Sequence, residues 1–213
     1  MKRAQIFRLE HYLMRLMELK IRGAAYATSD ALADAVGVSG SRVRQDMMAL
    51  QAVGKPHSGY SVDELEIRIR DALDLYRPKG MAIVGCGNLG HALANAGIWE
   101  RAGFTVRAAF DVDPAKVGQS LVGVTIRHLD ELPGALADEP CVAACLTVPT
   151  EVAQTVANLL VDAGVKGIWN FASVDVKAPM HVVIENQRLE FGLMTLSYLL
   201  KLHRPPKTPP SGG

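Results

Sequence analysis

Cysteine is scarce in this chain: Cys86, Cys141 and Cys145 are the whole set. An odd count without a CxxC pair argues against a disulfide framework and against a structural zinc site. Cys141 and Cys145 lie in an apolar run and read as small core residues. Cys86 sits within a glycine loop and is the one candidate for a reactive thiol, although no cationic neighbour in the sequence supports it. Membrane-length apolar runs are absent, and residues 1–14 lack the uninterrupted apolar stretch of a signal peptide, so the expectation is a cytoplasmic protein with no membrane partner. Net charge is small too, at +1 over 213 residues. That total hides an asymmetry, because residues 1–60 hold nine Lys/Arg against five Asp/Glu while residues 61–213 hold fourteen against seventeen. A basic head on an acidic body suggests that the head meets a polyanion. With 49% hydrophobic and 21% charged residues the composition is that of an ordinary globular protein of one large or two small domains.

Two breaks organise the chain. Arg77-Pro78-Lys79-Gly80 stops a helix ahead of a strongly apolar run, and the Pro/Gly-rich tail from Arg204 to Gly213 is expected to be disordered. Before the first break the periodicity is helical. Ile6, Leu9, Leu13, Leu16, Met17 and Lys20 make one stripe, Thr28 or Ser29 caps a second helix, and Ser39 caps a third that runs to about Leu50. Gly54 to Tyr60 reads as a tight hairpin or loop, and Leu65, Ile69, Ala72 and Leu73 continue as a fourth helix up to Pro78. After the break, strands and helices alternate: Met81–Val84, helix Asn88–Arg101, Thr105–Asp111, a short helix Leu129–Leu136, Val142–Val148, helix Thr150–Ala163 and Gly167–Asn170. Such alternation implies an α/β fold with a parallel sheet covered on both faces.

Gly85-Cys86-Gly87-Asn88-Leu89-Gly90 is G-x-G-x-x-G between an expected strand and an expected helix, the context that gives the string meaning. Gly85 permits the tight turn, Gly87 lets the backbone approach a pyrophosphate, and Gly90 lets the helix pack on the sheet. The helix N-terminus offers unpaired N–H groups to the phosphates. Asp111 lies 21 residues past Gly90, where an acid accepts hydrogen bonds from adenosine ribose hydroxyls. A carboxylate there repels a 2′-phosphate and favours NAD(H) over NADP(H), with Lys116 nearby pulling the other way. A coenzyme A or other nucleotide site on the same fold stays open.

On the third helix Val43, Met47 and Leu50 share one face at about 100° per residue. Ser41, Gln45 and Met48 point away, with Arg42 and Arg44 on the flanks. A capped second helix, a glycine turn and a third helix carrying Arg, Gln and Ser outward have helix-turn-helix form. Arg pairs with guanine edges or phosphates and Gln with adenine, while Lys55 and His57 in the following loop stand where a wing touches phosphate or minor groove. Ser39 belongs to this set through its cap. The alternative is a solvated charged face on a small helical domain.

In this order these segments resemble the Rex family of redox-sensing repressors. The likeness spans roughly Ile6 to Leu202 and rests on Gly37-Val38-Ser39 through Val43-Arg44-Gln45-Asp46, on Gly85–Gly90, and on Ala108 to Pro114 with Lys116-Val117-Gly118. Leu146-Thr147-Val148-Pro149 and Gly164 through Ala172 complete it. The resemblance implies a winged helix at 1–77, a Rossmann-like NAD(H)-binding domain at 78–190, and a dimerisation helix at 191–203 ahead of the tail. It implies a homodimer that binds a palindromic operator and that NADH releases, with NAD⁺ permitting repression. By position, Gly85, Cys86, Gly87, Asn88, Leu89, Gly90 and Asp111 would hold the phosphates and adenosine. Thr147, Pro149 and Phe171 match segments lining the family's dinucleotide pocket, and Arg44 matches a recognition-helix arginine. Three departures stand out: Lys55-Pro56-His57 replaces a Lys-Arg-Gly wing; Ala96 stands where many members carry a tyrosine; and Arg188, followed by Leu189, stands where they carry an aspartate followed by an aromatic residue.

Phe191, Leu193, Met194, Leu196, Tyr198, Leu199, Leu200 and Leu202 cover almost every side of one short terminal helix, too short to span a bilayer. Such a helix needs burial on all sides, and between subunits is an economical place. The resemblance implies that it packs between the partner's winged helix and Rossmann domain; packing within its own subunit is the alternative. An oxidoreductase reading has His91, His128 and His181 available as acid or base. None has a partner visible in the sequence, and no substrate domain remains, so no catalytic residue and no metal ligand is expected.

Overall fold

The computed structural model describes residues 1–203, which form two compact units. The first comprises Met1–Pro78 with Arg101–Gly103, the second Lys79–Glu100 and the residues from Phe104 onward. The tail 204–213, expected to be disordered, lies outside the described residues.

Helix α1 (Arg3–Ile21) opens the first unit and buries Leu9, Leu13 and Leu16, joined by Arg8 and Tyr12. A short antiparallel ribbon, β1 (Tyr26–Ala27) with β2 (Tyr60–Ser61), brackets helices α2 (Ser29–Asp34) and α3 (Gly40–Ala49), and α4 (Val62–Ala72) follows. Hydroxyl caps start these helices: Thr28 accepts from the Ala31 N–H at 3.1 Å, Ser39 from Arg42 at 3.3 Å and Ser61 from Glu64 at 3.4 Å. Gly37, at φ +69°, makes the left-handed turn between α2 and α3 that a side chain would resist. Helix α4 stops short of the expected Pro78. Asp74 takes φ +54° and the Leu75 N–H donates to the Arg70 carbonyl, a hydrogen-bonded C-terminal reversal that ends the helix first.

A polar contact holds this unit's core to α3. The Arg8 guanidinium donates to both Asp46 carboxylate oxygens, at 2.6 and 2.7 Å, and the Tyr12 hydroxyl donates to the same carboxylate at 3.2 Å. Arg8 and Asp46 are both buried. Burial first, then the neighbouring carboxylate, push the Tyr12 phenol up to about 12. Val43 and Met47, one turn apart on the same helix, are fully buried against Leu9, Leu16 and Leu32.

The second unit is built on a seven-stranded sheet. Its strands are β3 (Lys79–Val84), β4 (Phe104–Asp111), β5 (Ser120–Leu121), β6 (Val124–His128), β7 (Ala143–Leu146), β8 (Gly167–Asn170) and β9 (Val183–Asn186), in spatial order β5-β6-β4-β3-β7-β8-β9. All pairs are parallel except β5 with β6. Without β5 this is the 3-2-1-4-5-6 order of a dinucleotide-binding sheet, reversing between β3 and β7. Helices α5 (Asn88–Asn95), α6 (Leu132–Asp138) and α7 (Thr150–Asp162) connect the strands. Alternate residues of β3 feed two cores: Ala82 and Val84 pack with Phe110, Leu146 and Leu160, while Met81 and Ile83 pack with Trp99, Ile126 and Cys145.

Several expectations need correction. Helix α5 ends at Asn95 rather than Arg101, because Gly97 takes φ +62° and the Trp99 indole N–H lies 3.0 and 3.1 Å from the Leu93 and Ala94 carbonyls that another turn would have used. Strand β7 is shorter than Val142–Val148. The β5–β6 hairpin and β9 were not anticipated. The hairpin turns on Val122 and Gly123, both at positive φ, and valine there gives no turn signal. The terminal helix is α8 (Leu189–Leu202), and none of its residues is buried.

Truncating Asp46 to alanine strands the Arg8 guanidinium in the core. We expect a loss of about 3–5 kcal/mol in urea unfolding of the intact chain. An unfolding midpoint equal to that of the parent protein would show that the pair does not hold α3.

Candidate functional site

The glycine loop leaves β3 under close steric control. Gly85 lies at φ +94°, and a Cβ there would fall 2.6 Å from the Thr147 carbonyl oxygen. A Cβ on Gly90 would come within 2.1 Å of the Gly85 carbonyl oxygen, so only glycine lets α5 pack against the turn. The Thr147 hydroxyl, one residue past β7, donates to the Gly85 carbonyl at 2.7 Å and joins the loop to the neighbouring strand end. Gly87 is different. Its φ of −78° is ordinary, and a Cβ would meet nothing within 4 Å. Nothing in the protein requires glycine there, and the backbone at this point is open to approach from outside.

Asp111, at the end of β4, is 7% exposed and already engaged. Its carboxylate accepts the Cys86 N–H at 2.7 Å, the Asp113 N–H at 2.9 Å and the Lys116 ammonium at 3.1 Å. Burial alone would raise its pKa, but the Asp113 amide, the Lys116 ammonium and the Cys86 amide together hold it below the usual carboxylate range. A depressed folded value means that the clamp's contribution is present above the ordinary carboxylate range. It fades as pH falls through the lower folded one.

A cleft of about 660 Å³ opens over these strand ends, a size suited to a cofactor. Of the expected ligand residues, Gly85, Gly87, Asn88, Leu89, Asp111, Thr147 and Pro149 line it. Cys86, Gly90 and Phe171 do not. The Cys86 thiol turns inward toward the Phe110 carbonyl, 3.5 Å away, and burial followed by the Asp111 charge pushes it up to about 11, so the reactive-thiol reading falls. Phe171 packs at 71° to Trp169, with ring centroids 4.5 Å apart. Sequence reading did not assign Asp113, Lys116, Leu129, Val148 or Val152 to the lining. Of these, Asp113, Lys116 and Val148 lay within matching segments, and Lys116 was weighed only as a charge near Asp111. His128 is taken up as a cap, its Nδ1 accepting the Asp130 N–H at 3.3 Å.

In the first unit, Ser41, Arg42, Arg44 and Gln45 are exposed on one side of α3, opposite buried Val43 and Met47. Arg42 donates to the Gln45 side-chain oxygen at 3.0 Å. Ser39 is half-occupied by its capping role. A Cβ on Gly40 would come within 2.8 Å of an Asp30 carboxylate oxygen, the movable end of an exposed side chain. Met48, 77% exposed on the same face, was not assigned to the site. Lys55, Pro56 and His57 form an exposed tip closed by mutual Lys55–Gly59 backbone bonds. Lys55 donates to the Tyr26 hydroxyl and lies 4.9 Å from that ring's centroid, while His57 is held at φ +61°.

Comparison with known proteins adds two family models: a CoA binding domain over residues 77–174 and a putative DNA-binding protein N-terminus over residues 3–47. The redox-sensing transcriptional repressor Rex of Caldicellulosiruptor saccharolyticus is 40% identical over 197 residues, 92% of this chain and 90% of that one. The protein of the same name from Clostridioides difficile is 37% identical over 93% of this chain and 94% of its own. Among solved structures, RSP, a Rex-family repressor, matches at 33% identity and a TM-score of 0.86, covering 95% of each chain. RSP has also been solved with β-NADH, matching at a TM-score of 0.87, and with β-NAD⁺ and operator DNA, at 0.86.

The wing tip generates a prediction. His57 occupies a left-handed conformation that glycine adopts without strain, so His57→Gly is expected to stabilise the first unit by about 0.5–1 kcal/mol in chemical denaturation. A destabilised variant would show that the histidine side chain, rather than the backbone, matters at this turn.

Proposed function

This chain belongs to the Rex family of redox-sensing transcriptional repressors, and we propose that its cleft takes NAD(H) while α3 and the wing grip operator DNA. The observation that carries this is the 37–40% identity to Rex repressors over more than nine-tenths of the chain. NADH weakens the hold on the operator, so that transcription follows the NADH/NAD⁺ ratio.

Three features of the cleft support this reading: a Cβ on Gly87 would meet nothing within 4 Å, no side chain caps the N-terminus of α5, and the volume is of the right order. Gly87, Asn88 and Leu89 would hold the pyrophosphate, and Asp111 would shape the adenosine end beside Thr147 and Pro149. When bound, the dinucleotide supplies a ring that is cationic when oxidised and neutral when reduced. The protein needs only to bind the two forms unequally in its two states. Arg44 and Gln45 would read base edges, and Ser39, Ser41, Arg42, Lys55 and His57 would position the duplex through its backbone. The chain acts as a homodimer whose α8 helices bury their exposed faces against the second copy. The domain reading is a winged helix at 1–77, the nucleotide-binding domain at 78–190 and the dimerisation helix at 191–203. Non-enzymatic action in the cytoplasm completes the proposal; it draws on relatives named as repressors and on a cleft without a positioned histidine.

Operator binding measured at one stated salt concentration, with NADH and NAD⁺ titrated separately, tests the function. We expect NADH to weaken binding at least fivefold more than NAD⁺, and equal effects would remove the sensor. Coenzyme A should not compete for the NADH site, as followed by Trp169 fluorescence. Arg44→Ala should lose specific operator binding and keep NADH affinity. Asp111→Ala should do the reverse, weakening NADH tenfold or more while the apo protein still finds its operator.

A further inference from the structure

The ribbon of the first unit carries a contact that its own folding does not ask for. Tyr26 opens β1, pairs with Ser61 of β2 and keeps 36% of its surface exposed. Its hydroxyl accepts a hydrogen bond from the Lys55 ammonium, which also lies 4.9 Å from the centroid of its ring. Hydroxyl and ring share one cation. Lys55 is itself exposed, so the contact hides no apolar surface, and holding a lysine still costs it rotamer freedom.

The backbone around Lys55 is already placed without Tyr26. Lys55 and Gly59 exchange backbone bonds, the Lys55 N–H donating at 2.7 Å and the Gly59 N–H at 3.1 Å, and the Ser58 N–H donates to the Lys55 carbonyl at 3.2 Å. Gly59, at φ +93°, lies so close on β1 that a Cβ would fall 2.2 Å from the Ala27 carbonyl oxygen. The wing is thus pinned to the strand residue next to Tyr26. What its backbone leaves undecided is the direction of the four-carbon lysine stem. That direction matters here, because Lys55 is the only lysine or arginine between Arg44 and Arg68. The wing's charge toward a polyanion comes down to one ammonium.

We propose that Tyr26 is the positioning residue of the wing, holding Lys55 in the pose in which its ammonium meets a phosphate of the DNA backbone. The lysine then loses its freedom on folding rather than on binding, which lowers the ordering cost of the complex. An ammonium has three donors, and the phenol takes one, so two stay available to phosphate oxygens. Tyr26 acts through Lys55 and need not touch the duplex.

This inference rests on the reading of the wing as a DNA contact, and the test separates the two. Operator affinity is measured over a range of salt concentrations for the full-length parent, Lys55→Ala, Tyr26→Ala, Tyr26→Phe and the Tyr26→Ala/Lys55→Ala double variant. NADH affinity and the urea unfolding midpoint are followed alongside. We expect Lys55→Ala to weaken operator binding about fivefold and to lower the salt slope by about one. Tyr26→Ala should weaken binding about threefold or more in the parent, but less than about 1.5-fold when Lys55 is already alanine. Tyr26→Phe, which keeps the ring and loses the hydroxyl, should fall between the parent and Tyr26→Ala. Equal losses from Tyr26→Ala in the two backgrounds would overturn the positioning role alone, because a tyrosine that merely supports the fold acts whether or not the lysine is there. If Tyr26→Ala does not fold, a Tyr26→Phe protein with the parent's operator affinity overturns it equally. A Lys55→Ala protein with the parent's affinity and salt slope would overturn the wing contact and the role of Tyr26 with it.

Discussion

The carboxylate of Asp111 ties three segments of the second unit to one point: the glycine loop through Cys86, the turn after β4 through Asp113, and Lys116 beyond it. A buried carboxylate is costly unless its oxygens are satisfied, and this one is satisfied by protein groups alone. The loop is thereby held in shape by the protein's own groups, with Thr147 fixing its far side. A preformed loop lowers the ordering cost of binding. It also limits what Asp111 itself can offer a ribose, because most of its accepting capacity is spent inside the protein.

The opposite economy governs α8. Its leucines, phenylalanine and tyrosine are roughly half to two-thirds exposed along the whole length. Scattered exposed hydrophobic side chains are ordinary on a monomer, but a continuous apolar helix is a surface waiting for a partner. The single chain is therefore incomplete as a folded object, and association belongs to its stability as well as to its function. In the proposed dimer this apolar face is what the second copy would cover.

Much of this was legible in the residues. Period-2 and period-3.6 patterns located most of the elements, and G-x-G-x-x-G between a strand and a helix located the cleft, because glycine positions and apolar periods reflect local sterics. What hid was set by tertiary context. Arg8 and Asp46 sit 38 residues apart and look like surface charges until the fold buries them together. The β5–β6 turn uses Val122, so no turn residue announced it. Cys86 looked available because a glycine loop suggests openness, whereas its thiol turns inward beneath that loop. Phe171, assigned to the cleft through the likeness alone, packs on Trp169, a contact no local pattern announces.

Two arginine–aspartate contacts show how one chemistry serves opposite ends. Arg8–Asp46 is buried on both sides, bidentate and backed by Tyr12; removing either partner leaves a charge without water or counterion, so this contact has one state. It belongs under a helix whose outward face must stay constant to read a duplex. Arg188–Asp175 is shielded on one side and wet on the other, so water replaces the lost partner when it opens and the energetic gap between its two states is small. A contact of that kind contributes little to stability. The closed pair sits under α3 and the half-open one at the root of α8.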